Sequence, residues 1–218
     1  MMFRDRSDAG RQLAEKLLHL KDRNPVVLAL PRGGVPVGLE VARALGAPLD
    51  LVLVRKIGVP WQPELALGAV TDGDDPEVFI DRNLVAELAI PEDYITEETA
   101  RQLDELERRR RVYRAGRAPM DVSGRAAIVV DDGIATGATM RVALQATRRR
   151  NPSWLVLAAP VAAPDTLARL RPEADEVVCL EIPAGLGAIG FYYRDFHQVS
   201  DAEVTAILAR GSQHTEQK

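Results

Sequence analysis

One cysteine in 218 residues, Cys179, rules out an internal disulfide. Within Glu176-Val-Val-Cys-Leu it reads as a strand thiol packed inside rather than as a nucleophile. His19, His197 and His214 lie too far apart in sequence for a metal-ligand spacing, so no zinc site is expected. No apolar run reaches the roughly 18 residues that cross a bilayer. The first residues, Met-Met-Phe-Arg-Asp-Arg-Ser-Asp, carry charge where a signal peptide needs an apolar core, so the chain is expected to stay in the cytoplasm where it is made. Neither sign of charge dominates. The 28 Lys and Arg against 32 Asp and Glu leave a net −4 and no global attraction to nucleic acid or to an anionic membrane. Aromatics make up 5% of the chain, and half of the Phe and half of the Tyr fall in one stretch after Ile182.

What is present is an ordinary globular composition, 46% apolar and 28% charged. That length suits a single domain over residues 1–210 with a frayed tail, 211–218. The most informative stretch is Arg125 to Arg141. Ala127 to Val130 is a short, β-branched apolar run of the kind found in buried parallel strands, and it ends in two carboxylates, Asp131 and Asp132. Gly133, Thr136, Gly137 and Thr139 follow, small residues that let backbone N–H groups turn inward, and a helical run begins at about Ala138. An anion cradle on a helix N-terminus results, where unpaired N–H groups and roughly half a positive charge favour a phosphate. Two acids beside such a cradle suit the vicinal hydroxyls of a sugar phosphate. A P-loop would need Gly-Lys-Ser/Thr, and a dinucleotide fold would need its acid after the next strand; neither is present.

Val129-Val130-Asp131-Asp132-Gly133-Ile134-Ala135-Thr136-Gly137-Ala138-Thr139 resembles the signature of the type I phosphoribosyltransferases, which bind 5-phosphoribosyl 1-diphosphate. The resemblance implies a Rossmann-like α/β fold built on a parallel sheet. It also implies that Asp131 and Asp132 hold the ribose hydroxyls while Ala135, Thr136, Gly137, Ala138 and Thr139 surround the 5-phosphate. Gly133 departs from the pattern, since an aliphatic residue is usual there. Ala135 stands where the 6-oxopurine enzymes usually carry an aspartate beside the purine, so a base-directed carboxylate is missing from this loop.

Earlier in the chain, Leu13, Ala14, Leu17, Leu18 and Leu20 recur at helical spacing, with Ser7 and Asp8 as candidate caps and packing as the expected role. Val26 to Leu30 is an apolar strand, followed by Pro31-Arg32-Gly33-Gly34 and a helix from Val35 to Leu45 closed by Gly46. Two strand, Gly-rich loop and helix units in one parallel sheet bring two cradles to the same carboxyl edge. In the resembling family the first loop grips the diphosphate, often through a non-proline cis peptide; Arg32, Gly33 and Gly34 match that role. Leu49 to Val54 reads as a third strand. The segment after Arg55 and Lys56, through Glu64, reads as an exposed loop resembling the family's flexible catalytic loop, with both cations on the leaving diphosphate. Trp61 fits either a lid or a packing residue.

Leu65 to Val70 and Glu77 to Ile80 return to strand character across the polar turn Thr71 to Pro76. Residues 83–115 read as a helical insertion with Ile95, Leu103, Leu106, Arg110 and Tyr113 on one stripe, either covering the site or mediating contact in a homodimer. Arg108 to Arg111, flanked by Glu105 and Glu107, reads as a solvated face. Trp154 to Pro160 and Glu176 to Ile182 are two more strands, joined through a helix near Asp165 to Leu170. Residues 183–200 form a Gly-rich, aromatic hood or flap in which Leu186, Ile189 and Phe191 are candidates for an acceptor pocket, with Glu181 and Asp195 as its nearby carboxylates. Ser200-Asp201-Ala202-Glu203 caps a last helix to about Arg210. The activity implied is magnesium-dependent transfer of phosphoribose from 5-phosphoribosyl 1-diphosphate to a nucleobase-like acceptor, as in nucleotide salvage, with the ion carried mainly by substrate oxygens. A non-catalytic sensor on the same fold is the competing expectation, for which Arg55 and Lys56 would be superfluous.

Overall fold

The computed structural model describes residues 2–72, 76–115 and 117–213. Five parallel strands form the main sheet: β1 (Val26–Ala29), β2 (Leu49–Leu51), β6 (Ala126–Val130), β7 (Trp154–Val161) and β8 (Glu176–Glu181), in the order β2-β1-β6-β7-β8. Alternate residues of each strand face opposite sides. Val27, Ala29, Ile128 and Val130 join one core with Leu13, Leu17, Val37 and Val41 of the helices α1 (Arg6–Leu17) and α2 (Gly34–Leu45), and with Val204 and Leu208 of α7 (Asp201–Gln213). Val26, Leu28, Ala127 and Val129 join the other with Met140 and Leu144 of α5 (Ala138–Arg149) and Leu167 of α6 (Pro164–Leu170). Both faces are therefore covered, which is why these strands are continuously apolar.

The third apolar run divides between two sheets. Leu49–Leu51 belongs to the parallel sheet, the chain turns at Val52 and Leu53, and β3 (Val54–Val59) pairs antiparallel with β4 (Gln62–Thr71), which pairs with β5 (Glu77–Ile80). The expected flexible loop after Lys56 is thus a strand and a hairpin, corrected by its own burial: Val54, Ile57 and Val59 are buried while Arg55 and Lys56 are half-exposed. The glycine and prolines between Gly58 and Pro63 hid that pattern, because they belong to an irregular register at the hairpin tip. Trp61 at that tip is 63% exposed, so it is no packing residue. Part of the turn from Thr71 to Pro76, residues 73–75, lies outside the described residues.

Residues 83–115 are two helices rather than one, α3 (Arg82–Glu87) and α4 (Glu92–Arg114), divided at Ala89 in the left-handed region and at Pro91. Ile95, Leu106 and Tyr113 are buried as the stripe requires, and α4 lies on β3, β4 and α7. Arg110 is half-exposed and pairs with Glu107, whereas Arg114 at the helix end is the buried cation. The Arg108–Arg111 run is answered by Glu105 and Glu107, as expected of a solvated face. Helix α1 is capped by Asp5, whose carboxylate accepts from the Asp8 N–H, and not by Ser7 or Asp8. The capping box at Ser200 and Glu203 is present, and its helix continues to Gln213, past the expected stop; 214–218 lie outside the described residues.

Candidate active site

Strands β1 and β6 are neighbours in register, so the loops that leave their carboxyl ends meet. The Leu30 N–H donates to the Val130 carbonyl at 2.9 Å, and the Pro31–Arg32 peptide is cis. Gly33 and Gly34 are required by this approach. A Cβ on Gly33 would overlap the Asp132 carboxylate, and one on Gly34 would stand 2.6 Å from the Val130 carbonyl oxygen. The first loop and the acid pair therefore form one surface.

Asp131 and Asp132 follow a fully buried strand. Asp131 accepts a 2.9 Å hydrogen bond from the Asp132 N–H. Burial first, and the adjacent Asp132 carboxylate second, push the Asp131 carboxyl well above the ordinary carboxylate range. Ile134 is tucked inward, its N–H donating to Val161 and its carbonyl accepting from Ala163. Ala135, Thr136 and Thr139 are left exposed around Gly137, which starts α5 at a φ of 79°. The Ala135 carbonyl is held away from the opening by the Thr166 hydroxyl at 2.7 Å. N–H groups at the start of α5 thus face an open turn, the form an anion cradle needs.

Arg55 and Lys56 of β3 line a cavity of about 530 Å³ that Pro31 and Thr139 also line, so the cations, the first loop and the last residue of the cradle share one space. Helix α4 forms its far wall with Glu98, Gln102 and Arg109. The Arg55 guanidinium donates to the Gln102 side chain at 2.8 Å, and Gln102 donates to Glu98 at 2.5 Å. Burial, then the nearby Arg109 charge, lowers the Arg55 pKa from its ordinary value. Thr136, Gly137 and Ala138 open instead on a second cavity of about 470 Å³, beside Arg141 and Arg169. Arg32 points toward α7, 3.8 Å from Asp201, which also accepts from the Tyr113 hydroxyl at 2.5 Å and from Arg108 at 3.4 Å.

Of the three acceptor candidates, Ile189 covers the acid loop, Leu186 is half-buried and Phe191 is 73% exposed. Ile189 explains the departure at Gly133. A Cβ there would run into the Ile189 side chain, so the tail occupies the volume that an aliphatic residue in the loop would fill. Gly133→Val should lower the thermal midpoint by overpacking worth about 1–3 kcal/mol. Adding Ile189→Ala should recover most of that loss, read as coupling in a double-mutant cycle.

Three residues of this neighbourhood carry no signal in the sequence. Arg6, Gln102 and Asp201 act across long sequence separations, and each sits in an ordinary charged or capping context. Cys179 is a half-buried thiol pushed up to about 11 by burial, which suits packing and not nucleophilic attack.

The family model described as phosphoribosyl transferase domain matches residues 4–194. The chain belongs to the phosphoribosyltransferase family. This family member is 48% identical over 209 residues to two curated Mycobacterium tuberculosis proteins, from strains CDC 1551 and H37Rv, that bear the provisional name phosphoribosyl transferase. The match takes in 96% of the chain but 47% of each relative, so the chain spans about half the length of the curated relatives it matches. The crystal structure of TT1426 from Thermus thermophilus is similar over 96% of this chain and 99% of that one, with 47% identity and a TM-score of 0.85. AQ2163 from Aquifex aeolicus, at 14% identity and a TM-score of 0.52 over 86% and 84% of the two chains, shares the fold alone.

Proposed function

We propose that this phosphoribosyltransferase moves the 5-phosphoribosyl group from 5-phosphoribosyl 1-diphosphate to a nucleobase-like acceptor, a purine, and releases diphosphate. The observation that carries the reading is the meeting of the Gly33–Gly34 loop with Asp131 and Asp132 at the edge of the parallel sheet that also bears the cradle, with Arg55 and Lys56 of the second sheet lining a cavity shared with Pro31 and Thr139. In this reading Ala135 to Thr139 bind the 5-phosphate, and Asp131 and Asp132 accept from the ribose hydroxyls. Arg32, Gly33 and Gly34 hold the diphosphate, and Arg55 and Lys56 neutralise the charge it gathers as its bond to the anomeric carbon breaks. The acceptor nitrogen forms the new bond to that carbon and loses its proton. Magnesium supplies further charge neutralisation on the diphosphate when bound. In this reading the ion is carried mainly by the substrate's own oxygens, with waters completing its shell, and the residues beside it need only hold that substrate.

The tail supports a planar acceptor. Ile189 and Tyr193 bring it against the acid loop, the latter through a 2.6 Å bond from its hydroxyl to the Asp132 carbonyl, and the exposed Phe191 ring is free to stack. Ala135 leaves open the space beside the ribose. Phe191→Ala is expected to raise the Michaelis constant for the purine several-fold while affinity for 5-phosphoribosyl 1-diphosphate stays nearly constant, because the cradle belongs to a different element. Equal loss of both would make the tail a structural cover. The deciding experiment is diphosphate release from 5-phosphoribosyl 1-diphosphate and magnesium with a panel of nucleobases. Release with a purine supports the reading, binding without release makes the protein a sensor, and turnover of a pyrimidine or a non-base amine alone removes the purine.

A further inference from the structure

The guanidinium of Arg6 lies in the one place where the N-terminal helix, the tail and the acid pair converge. Its Nε donates to Asp132 Oδ2 at 2.7 Å, and its side chain is 9% exposed. The same group donates to the His197 carbonyl at 2.8 Å and lies 3.9 Å above the Phe196 ring. Phe196 stacks on Tyr193 with centroids 4.9 Å apart, and the Tyr193 hydroxyl returns to the Asp132 backbone, closing a ring of contacts around one carboxylate. The start of α1 is fastened there as well: the Phe3 N–H donates to Tyr192, Arg194 donates to Phe3 and Asp195 donates to Arg4.

We infer that Arg6 is a positioning residue for ribosyl-diphosphate binding, holding the Asp132 carboxylate fixed in direction for the ribose. This rests on the phosphoribosyl reading of the acid pair. Two adjacent carboxylates repel each other, so neither keeps a fixed direction by itself. A buried cation bonded to one of them fixes its direction, and the two other contacts of Arg6 prevent it from swinging away with the substrate. A surface arginine serving only to hold α1 in place would have no need of the acid. The effect is also directional, because Nε binds a single oxygen and so fixes the carboxylate plane.

The charged and titratable groups that face Asp132 are Arg6 from α1, Asp131 on its own loop and Tyr193 from the tail, with Asp195 and His197 beyond Arg6, Cys179 beyond Tyr193, and Arg32 on the adjoining loop. Arg6 is the cation of that set bonded to Asp132 among the described residues.

The test uses the full chain, 5-phosphoribosyl 1-diphosphate with magnesium, and Arg6→Gln and Arg6→Lys variants checked for folding by thermal melting. Calorimetry at neutral pH should give Arg6→Gln a dissociation constant at least about ten-fold weaker, the size of one charge-assisted hydrogen bond. Arg6→Lys should recover part of it. Equal affinity in folded Arg6→Gln, or no recovery in Arg6→Lys, would overturn the inference, leaving Arg6 a structural tie. Failure of the unaltered protein to bind would instead overturn the phosphoribosyl reading itself.

Discussion

Replacing Asp131 by asparagine should weaken binding of 5-phosphoribosyl 1-diphosphate by about 10-fold to 100-fold and leave the protein at least as stable as before at neutral pH, since a hydrogen bond to a charged group contributes about 1.5–3 kcal/mol. The two halves of that result have one cause. Burial and the Asp132 charge hold the Asp131 carboxyl well above its ordinary pKa, so its ionisation is disfavoured in the folded chain and becomes worthwhile only when ribose hydroxyls donate to it. A carboxyl with a raised folded pKa binds its proton more tightly folded than unfolded. Its ionisation therefore subtracts stability in full at pH values above the folded pKa, and the penalty shrinks as the pH falls from the folded pKa to the ordinary carboxylate value, below which it is gone. The stability gap between Asp131→Asn and the unaltered protein should thus favour the variant at neutral pH and close on acidification. Asp132→Asn should behave differently, losing affinity and stability together, because it leaves Arg6 buried without its carboxylate. Urea titration at several pH values alongside calorimetry reads both. An Asp131→Asn protein that bound as tightly as before would remove the acid pair from the site.

The largest stability loss is expected at Arg114→Met. The Arg114 side chain is 5% exposed and bonds Asp50 at 2.9 and 3.1 Å, Asp72 at 2.8 Å and the Leu51 carbonyl at 2.9 Å. These contacts tie the end of α4 to the edge strand of the parallel sheet and to the chain just after β4. Methionine fills much of the volume but takes from two buried carboxylates the cation that bonds them, a loss of about 3–5 kcal/mol. For a chain of this size that corresponds to a fall in the thermal midpoint of roughly 6–20 °C. Diphosphate release should fall as well, since α4 is the wall against which Arg55 is held by Gln102. A midpoint within a degree or two of the original would mean that α4 is fixed by its apolar stripe alone.

The parts of this molecule legible in the sequence are those where a local pattern decides the structure. Val26–Ala29 and Ala126–Val130 are continuous apolar runs because both sheet faces are covered, and the glycines and threonines after Asp132 specify a cradle through backbone geometry alone. Leu49 to Val54 reads as one strand because periodicity records burial and not the sheet that provides it; the run passes from one sheet to another at Val52 without any change of residue type. Arg6 and Arg114 are illegible for a related reason. A cation is buried only where carboxylates wait for it, and here those partners stand 126 and 64 positions away in the chain. The Gly133 departure is visible in the sequence, but its meaning needs Ile189, which only the folded tail brings above it.

That fastening of the first residues to the last has a temporal side. The parallel sheet closes through neighbours such as β1 and β6, whereas the Phe3 to Tyr193 bridge and the Arg6 to His197 bond join positions separated by nearly the whole domain. Contacts of that separation carry a large loop-closure cost and cannot form until the last segment has left the ribosome. The chain can therefore hold its sheet and the turn before α5 while Asp132 still lacks its attachment to Tyr193. Synthesis would pass through a species whose strand β6 and turn before α5 are in place but whose acid loop is not yet braced by the tail, so that on the proposed reading the ribose side of the site would mature after the phosphate side.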